Sequence, residues 1–494
     1  MSQWFCNVIQ ACVYDQIAAG NGEKTAIIDD HGETSYARLL AELSRVGNGL
    51  RDRRIGFGDR VVVALPDGVP FAATLFGALA IGAIPVMVDP QSKEIDAIAE
   101  RIGATLIVGH VTTPGTSFAE LVSGMSETID VYPTTSDDDA IWLFSGGTTG
   151  GRPKIVRQRH GSYVAVMHYL ARDFMGYTET DRTLSVPRLF FGYATGGNLL
   201  FPLAVGGTAV LKSAWPTEEK VFAQIMRYRP TIVINTPAMV SRMLDYAAAH
   251  PTEVDLSSVR FMTSAGEKLP DSVYLRWVVQ FPDVPLCDGL GFAEHWYFVS
   301  WNRPQMIAVC TAGEVIPGLQ VKICAEDGQE LPLGDVGELW VTGPAMARGY
   351  FNDEEATAAA FRGGWFVGGD LARLTSHGGA IYLTHMGRVA NTFKVNGRWV
   401  YPDQVVDVLL THPAVGECAV IARTDDGGVT KPMAFIVLKS ENGVIPAVDI
   451  STLAALVLGG LGSHQCPRFW RFLQEPLPRT HLGKVDLQAL RAMT

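Results

Sequence analysis

The chain has 494 residues, 47% of them hydrophobic and 18% charged, an ordinary globular composition that is too long for one core and sufficient for two or three domains. Its formal net charge of −11 argues against a nucleic-acid surface, though not against an anionic nucleotide held at a local site. Seven cysteines are scattered at 6, 12, 287, 310, 324, 418 and 466 without a CxxC pair, the pattern of reduced thiols in a cytoplasmic protein rather than of a disulfide framework or a zinc site.

The N-terminal MSQWFCNVIQ lacks a basic region followed by an apolar run, so no signal peptide is read there. Lys24–Asp29 (KTAIID) reads as a strand and His31–Gly32 as a turn, after which Ser35 can cap a helix that carries Leu39, Leu40, Leu43, Val46 and Leu50 on one face. Arg60–Leu65 (RVVVAL) is an apolar run of strand length, the mark of a strand covered on both sides. Residues 71–88 (FAATLFGALAIGAIPVMV) are nearly free of polar groups, but their Gly and Ala content and the dividing Pro85 predict a buried helix and then a core strand, not a membrane span.

Alternation continues further on. Val221–Tyr228, Pro237–Ala248 (with Pro in its first turn) and Pro270–Gln280 suit helices; Thr231–Asn235, Val259–Thr263 and Val284–Cys287 suit strands. Strands alternating with helices predict parallel sheet under helical cover, an α/β class. Near Gly387 the character changes. A unit of about a hundred residues follows, with strands at Cys418–Ala422 and Met433–Leu438 and a helix at Pro402–Thr411. The expected organisation is a large N-terminal domain of helix-covered sheets, 1–387, and a small mobile α+β C-terminal domain, 388–494.

Ser145–Lys154 (SGGTTGGRPK) concentrates Ser, Thr and Gly between two strand-like runs, Ala140–Phe144 and Lys154–Arg157. Glycines let backbone N–H groups turn toward an anion, while the hydroxyls of Ser145, Thr148 and Thr149 and the charge of Lys154 add donors, which makes a phosphate cradle with Gly146 and Gly147. It departs from the P-loop pattern, because Arg152 and Pro153 stand where Lys and Ser/Thr belong and a strand follows.

At this loop the chain resembles the adenylate-forming superfamily of acyl-CoA synthetases, aryl acid ligases, adenylation domains and luciferases, and the resemblance extends in order from LPDG at Leu65–Gly68 to the C-terminal region. SAGEKLP at Ser264–Pro270, with Gly266 and Glu267, resembles the segment that lies along adenine. GLGFAEH at Gly289–His295 matches the segment whose glutamate, here Glu294, binds magnesium. GELWVTGPAMARGY at Gly337–Tyr350 precedes GWFVGGDLA, which supplies Asp370 as the expected ribose ligand. GRVANTFKVNGRWVYP at Gly387–Pro402 resembles the domain junction, with Arg388 expected at the ribose and Gly397 near the thiol tunnel. PRTHLGKVDLQAL carries Lys484, the expected adenylation lysine. What this implies is an ATP- and magnesium-dependent activation of a carboxylic acid as acyl-AMP, catalysed with Lys484 and Glu294, then transfer to the thiol of coenzyme A. Such an attack brings a carboxylate against an anionic phosphate, so cations must neutralise the charge that develops.

Leu189–Leu203 (LFFGYATGGNLLFPL) resembles benzoate-CoA ligases, and no Asp lies between Phe190 and Pro202 to hold an ammonium, so an aromatic acid is preferred to an amino acid. Phe191, Tyr193, Gly289, Leu290 and His295 are the lining candidates. Two other readings stand beside this one: a stand-alone enzyme that loads a carrier protein, and a non-catalytic nucleotide-binding protein on the same fold. A small carboxylic acid is the expected partner, a carrier protein or a second copy of the chain are further candidates, and neither nucleic acid nor membrane insertion is expected. Three departures from the family pattern stand out. Leu290 replaces the usual aromatic, Ala293 replaces a phosphate-binding Thr for which His295 or a hydroxyl of 145–149 would have to compensate, and Ala390 replaces the acidic hinge residue. The last implies slow domain rotation and modest thioester turnover.

Overall fold

A computed structural model describes residues 6–109, 115–145, 153–425, 427–439, 447–479 and 485–494. Its larger part is two sheets that share one core. The first has six strands in the spatial order Gly115–Thr116, Leu106–Val108, Arg60–Val63, Ile84–Met87, Asp139–Ser145, Lys154–Arg159. All neighbours in it are parallel except the last pair, which the Gly-rich loop joins as an antiparallel ladder.

The second sheet begins with Gly32–Ser35 and Thr25–Asp29 and continues through Thr208–Val210, Arg182–Ser185, Ile232–Asn235, Phe261–Ser264 and Leu286–Phe292. From Thr25–Asp29 to Leu286–Phe292 it is parallel; beyond Leu286–Phe292 it becomes antiparallel, through Tyr297–Trp301, Glu314–Val315, Ala380–Arg388, Trp365–His377, Val336–Thr342 and Gln320–Cys324.

Period-two alternation explains how both faces are filled. Val61 and Val63 face the shared core, whereas Val62 faces a second cluster with Ile84, Val86 and Trp142. Ile27 faces the shared core, and Ile28 packs toward the helices Glu218–Tyr228, Pro237–Ala249 and Asp271–Gln280. Between the sheets lie Tyr36–Asp52, capped by the Ser35 hydroxyl accepting from the Arg38 N–H at 3.3 Å, and Val69–Ala80. These two helices touch through glycine. A Cβ on Gly77 would lie 2.6 Å from Val46 Cβ and 2.8 Å from the Leu43 carbonyl. The apolar stretch 71–88 thus divides into a buried helix and the strand Ile84–Met87, and among the described residues no helix is long and apolar enough to cross a membrane.

One predicted strand is longer than expected. Val284–Cys287 is read from the sequence as a short strand, but Leu286–Phe292 runs on through GLGF. It does so because it pairs in parallel with Phe261–Ser264 as far as Asp288, and antiparallel with Tyr297–Trp301 from Gly289 onward.

Beyond the strand Ala380–Arg388 comes the turn Val389–Asn391 and a hairpin, Phe393–Val395 with Arg398–Val400. Asn396 (φ 51°) and Gly397 (φ 75°) form its two-residue turn, where both positions demand left-handed backbone. A three-stranded sheet follows (Val415–Thr424, Thr430–Leu438, Phe469–Leu473), with Pro402–Leu410 and Ile450–Gly460 against one face and Leu487–Ala492 against the other.

Candidate active site

Ligands of open parallel sheets gather at the carboxyl ends of strands. Here those ends are Ser145, Ser264 and the close of Leu286–Phe292, where the sheet changes from parallel to antiparallel. The chain makes that change abruptly. After the single turn Ala293–His295, Trp296 (φ 23°) and Tyr297 (φ 85°) both take left-handed backbone, although both are bulky and buried. Such conformations cost on the order of 1–3 kcal/mol each and are kept where the surroundings over-determine them.

This reversal sets Glu294 facing inward at 6% exposure. The Tyr350 hydroxyl donates to Glu294 Oε1 at 2.8 Å, and the Ala347 N–H donates to the Glu294 carbonyl at 2.8 Å. Burial raises the Glu294 carboxyl above its ordinary range, while the Tyr350 bond, the Arg388 charge and the Ser145 hydroxyl oppose that rise. Lys154 Nζ stands 4.5 Å from the Tyr350 ring centroid, and Gln158 Nε2 donates to the Ala293 carbonyl at 2.8 Å. Three segments far apart in sequence are therefore tied into one polar cluster. Within it the Glu294 carboxylate offers oxygens, the kind magnesium takes. Among the described residues no group of three or more His, Cys, Asp or Glu could hold a metal ion.

Asp370 and Arg388 meet across the antiparallel pair Trp365–His377 and Ala380–Arg388, where their Cα positions are partners. Arg388 Nε lies 3.2 Å from Asp370 Oδ1. His385 Nε2 lies 2.9 Å from the same oxygen and is assigned as its donor, because an ionised carboxylate only accepts. Asp370 is 3% exposed, so the Arg388 charge and the His385 donor offset the cost of burying its charge.

Gly266, Glu267, Gly289, Leu290, Asp370 and Arg388 all line one cleft of about 370 Å³. Its far wall is the smaller unit, through Asp403, Asp407, Val485 and Leu487. Glu294, Ser145 and Lys154 form the adjoining cluster described above. Phe191, Tyr193 and His295 are not part of the cleft wall. Tyr193 reaches Thr263 (Oη to Oγ1 3.3 Å), with its ring 5.6 Å from Tyr297 and 5.8 Å from Phe298, while Phe191 packs on Phe190. His295 is fully buried, neither ring nitrogen finds a partner among the described residues, and burial holds its pKa down at about 4. Gly397 is exposed at the hairpin tip, away from the cleft wall. Gly146, Gly147, Thr148, Thr149 and Lys484 lie outside the described residues.

Tyr350, Gln158 and His385 are site residues that sequence reasoning did not single out. A signal existed for His385: the HGG turn at 377–379 is legible, and counting outward along its two arms brings 385–388 opposite 370–372. Tyr350 and Gln158 carry no comparable local mark.

Comparison with known proteins gives the family. The AMP-binding enzyme model matches residues 14–351 and the AMP-binding enzyme C-terminal domain matches residues 405–484. The chain belongs to the AMP-binding enzyme family. It is 34% identical to a benzoate–CoA ligase of Thauera aromatica over 96% of this chain and 94% of that one, and 32% identical to a 4-hydroxybenzoate–CoA/benzoate–CoA ligase of Rhodopseudomonas palustris over 97% and 92%. Among solved structures it is similar to the anthranilate CoA ligase AuaEII in complex with anthranoyl-AMP, with a TM-score of 0.91 at 28% identity over 100% of this chain and 98% of that one. A benzoate CoA ligase from Burkholderia xenovorans LB400 superposes with a TM-score of 0.87 at 29% identity, covering 98% and 99%.

Proposed function

We propose that this chain is an AMP-forming aryl-CoA ligase. The acid's carboxylate oxygen attacks the α-phosphorus of ATP, the bond to the β-phosphate oxygen breaks, and pyrophosphate leaves. The thiol of coenzyme A then attacks the acyl carbon of the aryl-AMP, loses its proton, and expels AMP. The observation that carries this reading is the presence of two buried carboxylates, Asp370 on the cleft wall with Arg388 and His385, and Glu294 in the adjoining cluster with Tyr350 and Ser145. Kinship at 28–34% identity with ligases named for benzoate, hydroxybenzoate and anthranilate supports the aromatic class.

Each residue has an assigned part. Asp370 and Arg388 hold the ribose, Gly266 and Glu267 lie along adenine, and Ser145, the Gly146–Thr149 loop and Lys154 hold phosphates. Glu294 would hold magnesium, which supplies charge neutralisation at the phosphates. Lys484 serves the first step as a positioned cation. Gly289 and Leu290, which line the cleft, are assigned to the acid, whereas Phe191, Tyr193 and His295 lie off that wall, and Gly397 is assigned to the thiol path. The small domain begins at residue 388. Val485 and Leu487 line the cleft while Gly397 does not, an arrangement suited to adenylation. Ala390, exposed in the turn Val389–Asn391, occupies the hinge, and Ala390→Asp is expected to speed the thiol step in single turnover.

Pyrophosphate release with ATP and magnesium across benzoic, cinnamic, amino and fatty acids tests the reading, first without thiol and then with coenzyme A. Sustained turnover confined to an aryl acid plus coenzyme A is the expected result. A stoichiometric burst that coenzyme A leaves unrelieved would replace the acceptor with a carrier protein, and ATP binding without any release would overturn the enzyme reading.

A further inference from the structure

Lys268 and Asp407 meet across the cleft, 139 residues apart in sequence. Lys268 sits in the connection between the strand Phe261–Ser264 and the helix Asp271–Gln280, two residues beyond Gly266. Asp407 sits on the helix Pro402–Leu410 of the smaller unit. The ammonium donates to Asp407 Oδ2 in a close ion pair whose side chains are 26% and 15% exposed. One helical turn earlier, Asp403 lies over the junction itself: a Cβ on Gly387 would fall 3.1 Å from its Oδ2. A single helix thus touches the large domain at the hinge and again at Lys268.

We infer that Lys268 and Asp407 are positioning residues for the first half-reaction, their ion pair holding the small domain where Val485 and Leu487 line the same cleft as Asp370 and Arg388. The inference rests on the aryl-CoA ligase reading above. Its physical basis is the balance within a partly buried pair. Desolvation of the two ions nearly cancels their attraction, so parting them into water costs little net energy, whereas removing one partner leaves the other stranded. A contact of this kind selects one domain arrangement without locking it, and a two-step enzyme needs both arrangements within reach.

The setting is acidic and graded by pH. Asp407 faces Lys268 and Asp271 of the large domain, Asp403 on its own helix, and the thiols of Cys310 and Cys418. Burial lifts the Asp407 carboxyl to about 6, with the neighbouring carboxylates adding to the rise and Lys268 opposing it. As pH falls through about 6, Asp407 takes up a proton while Lys268 keeps its charge, the ionic attraction between them is lost, and adenylation slows relative to thiolation.

The test uses the full-length enzyme and its variants Asp407→Asn, Lys268→Met and Lys268→Arg. Single-turnover pyrophosphate formation is expected to fall about tenfold in D407N and K268M, roughly the effect of 1.4 kcal/mol, and to stay within about twofold of wild type in K268R. Thioester formation from preformed aryl-AMP is expected to hold or rise in all three. Trypsin cleavage within 388–398, followed without substrates, is expected to quicken in D407N and K268M. The low-pH fall in the ratio of the two half-reactions should vanish in D407N. Equal losses in both half-reactions, or failure of K268R to retain activity, would overturn the inference. Should wild type release no pyrophosphate with any aromatic acid, the ligase reading fails by itself, and unchanged junction cleavage would then dispose of the positioning role.

Discussion

Replacing Tyr350 by Phe removes one hydrogen bond and little else. The ring stays, with its edge contact to Phe361 at 5.7 Å and the Lys154 ammonium at 4.5 Å from its centroid. What is lost is the hydroxyl that donates to Glu294 at 2.8 Å, in a place where Glu294 is 6% and Tyr350 8% exposed. A hydrogen bond to a charged group is worth about 1.5–3 kcal/mol net, which corresponds to roughly 10- to 150-fold in an equilibrium. Burial already favours the neutral form of Glu294, and Tyr350 is the foremost of the groups that oppose it, so Y350F shifts the carboxyl further upward. Since magnesium needs the carboxylate, the expected phenotype is a magnesium requirement raised about 10- to 100-fold at neutral pH. The acid limb of pyrophosphate release moves to higher pH, and the rate recovers at high pH with excess magnesium. Initial rates over a grid of pH and magnesium measure this directly. A uniform loss at every pH and magnesium concentration, or an unchanged magnesium dependence, would refute the argument.

Other perturbations test separate parts of the structure. Asp370→Asn keeps the shape but removes the charge that Arg388 and His385 surround, and it is expected to raise the KM for ATP about 10- to 100-fold with a smaller change in kcat. Gly77→Ala places a Cβ 2.6 Å from Val46 Cβ and against the Leu43 carbonyl, so denaturant unfolding should show a loss of about 1–3 kcal/mol with activity per folded molecule intact. His160 is fully buried, its Nδ1 accepts from the Val8 N–H at 3.2 Å, and burial lowers its pKa to about 4. Because the unfolded chain binds that proton first, the stability from neutral His160 is complete above its ordinary value of about 6.5 and is lost as pH falls toward 4, by up to about 3 kcal/mol. Asp67 and Asp407, both raised to about 6, change stability the opposite way between pH 6 and 4, so the readout is the difference between wild type and His160→Asn, whose amide oxygen can keep the Val8 bond. Parallel slopes for the two proteins between pH 6.5 and 4 would contradict the assignment.

Much of this architecture is legible in the order of residues, because periodicity and capping are local. The apolar run at 60–65, the Ser35 cap, the Pro-led helix at 237 and the Pro-divided stretch 71–88 each carry their conformation within a few neighbours, and all take the form expected of them. The motifs also single out Glu294, Asp370 and Arg388, and the structure buries the two carboxylates and sets Arg388 beside Asp370. Tertiary packing alone decides which of these groups meet. Tyr350 reaches Glu294 across 56 residues, Lys268 reaches Asp407 across 139, and the register of one ladder places Arg388 and His385 on the same carboxylate. The left-handed Trp296 and Tyr297 lie at the tight connection by which Leu286–Phe292 reverses into its antiparallel partner Tyr297–Trp301. A sequence pattern states which face of an element is apolar, but not which distant element will cover it. Burial of Glu294, and with it the ionisation on which the proposed chemistry turns, is a property of the stacked sheets and not of any segment within them.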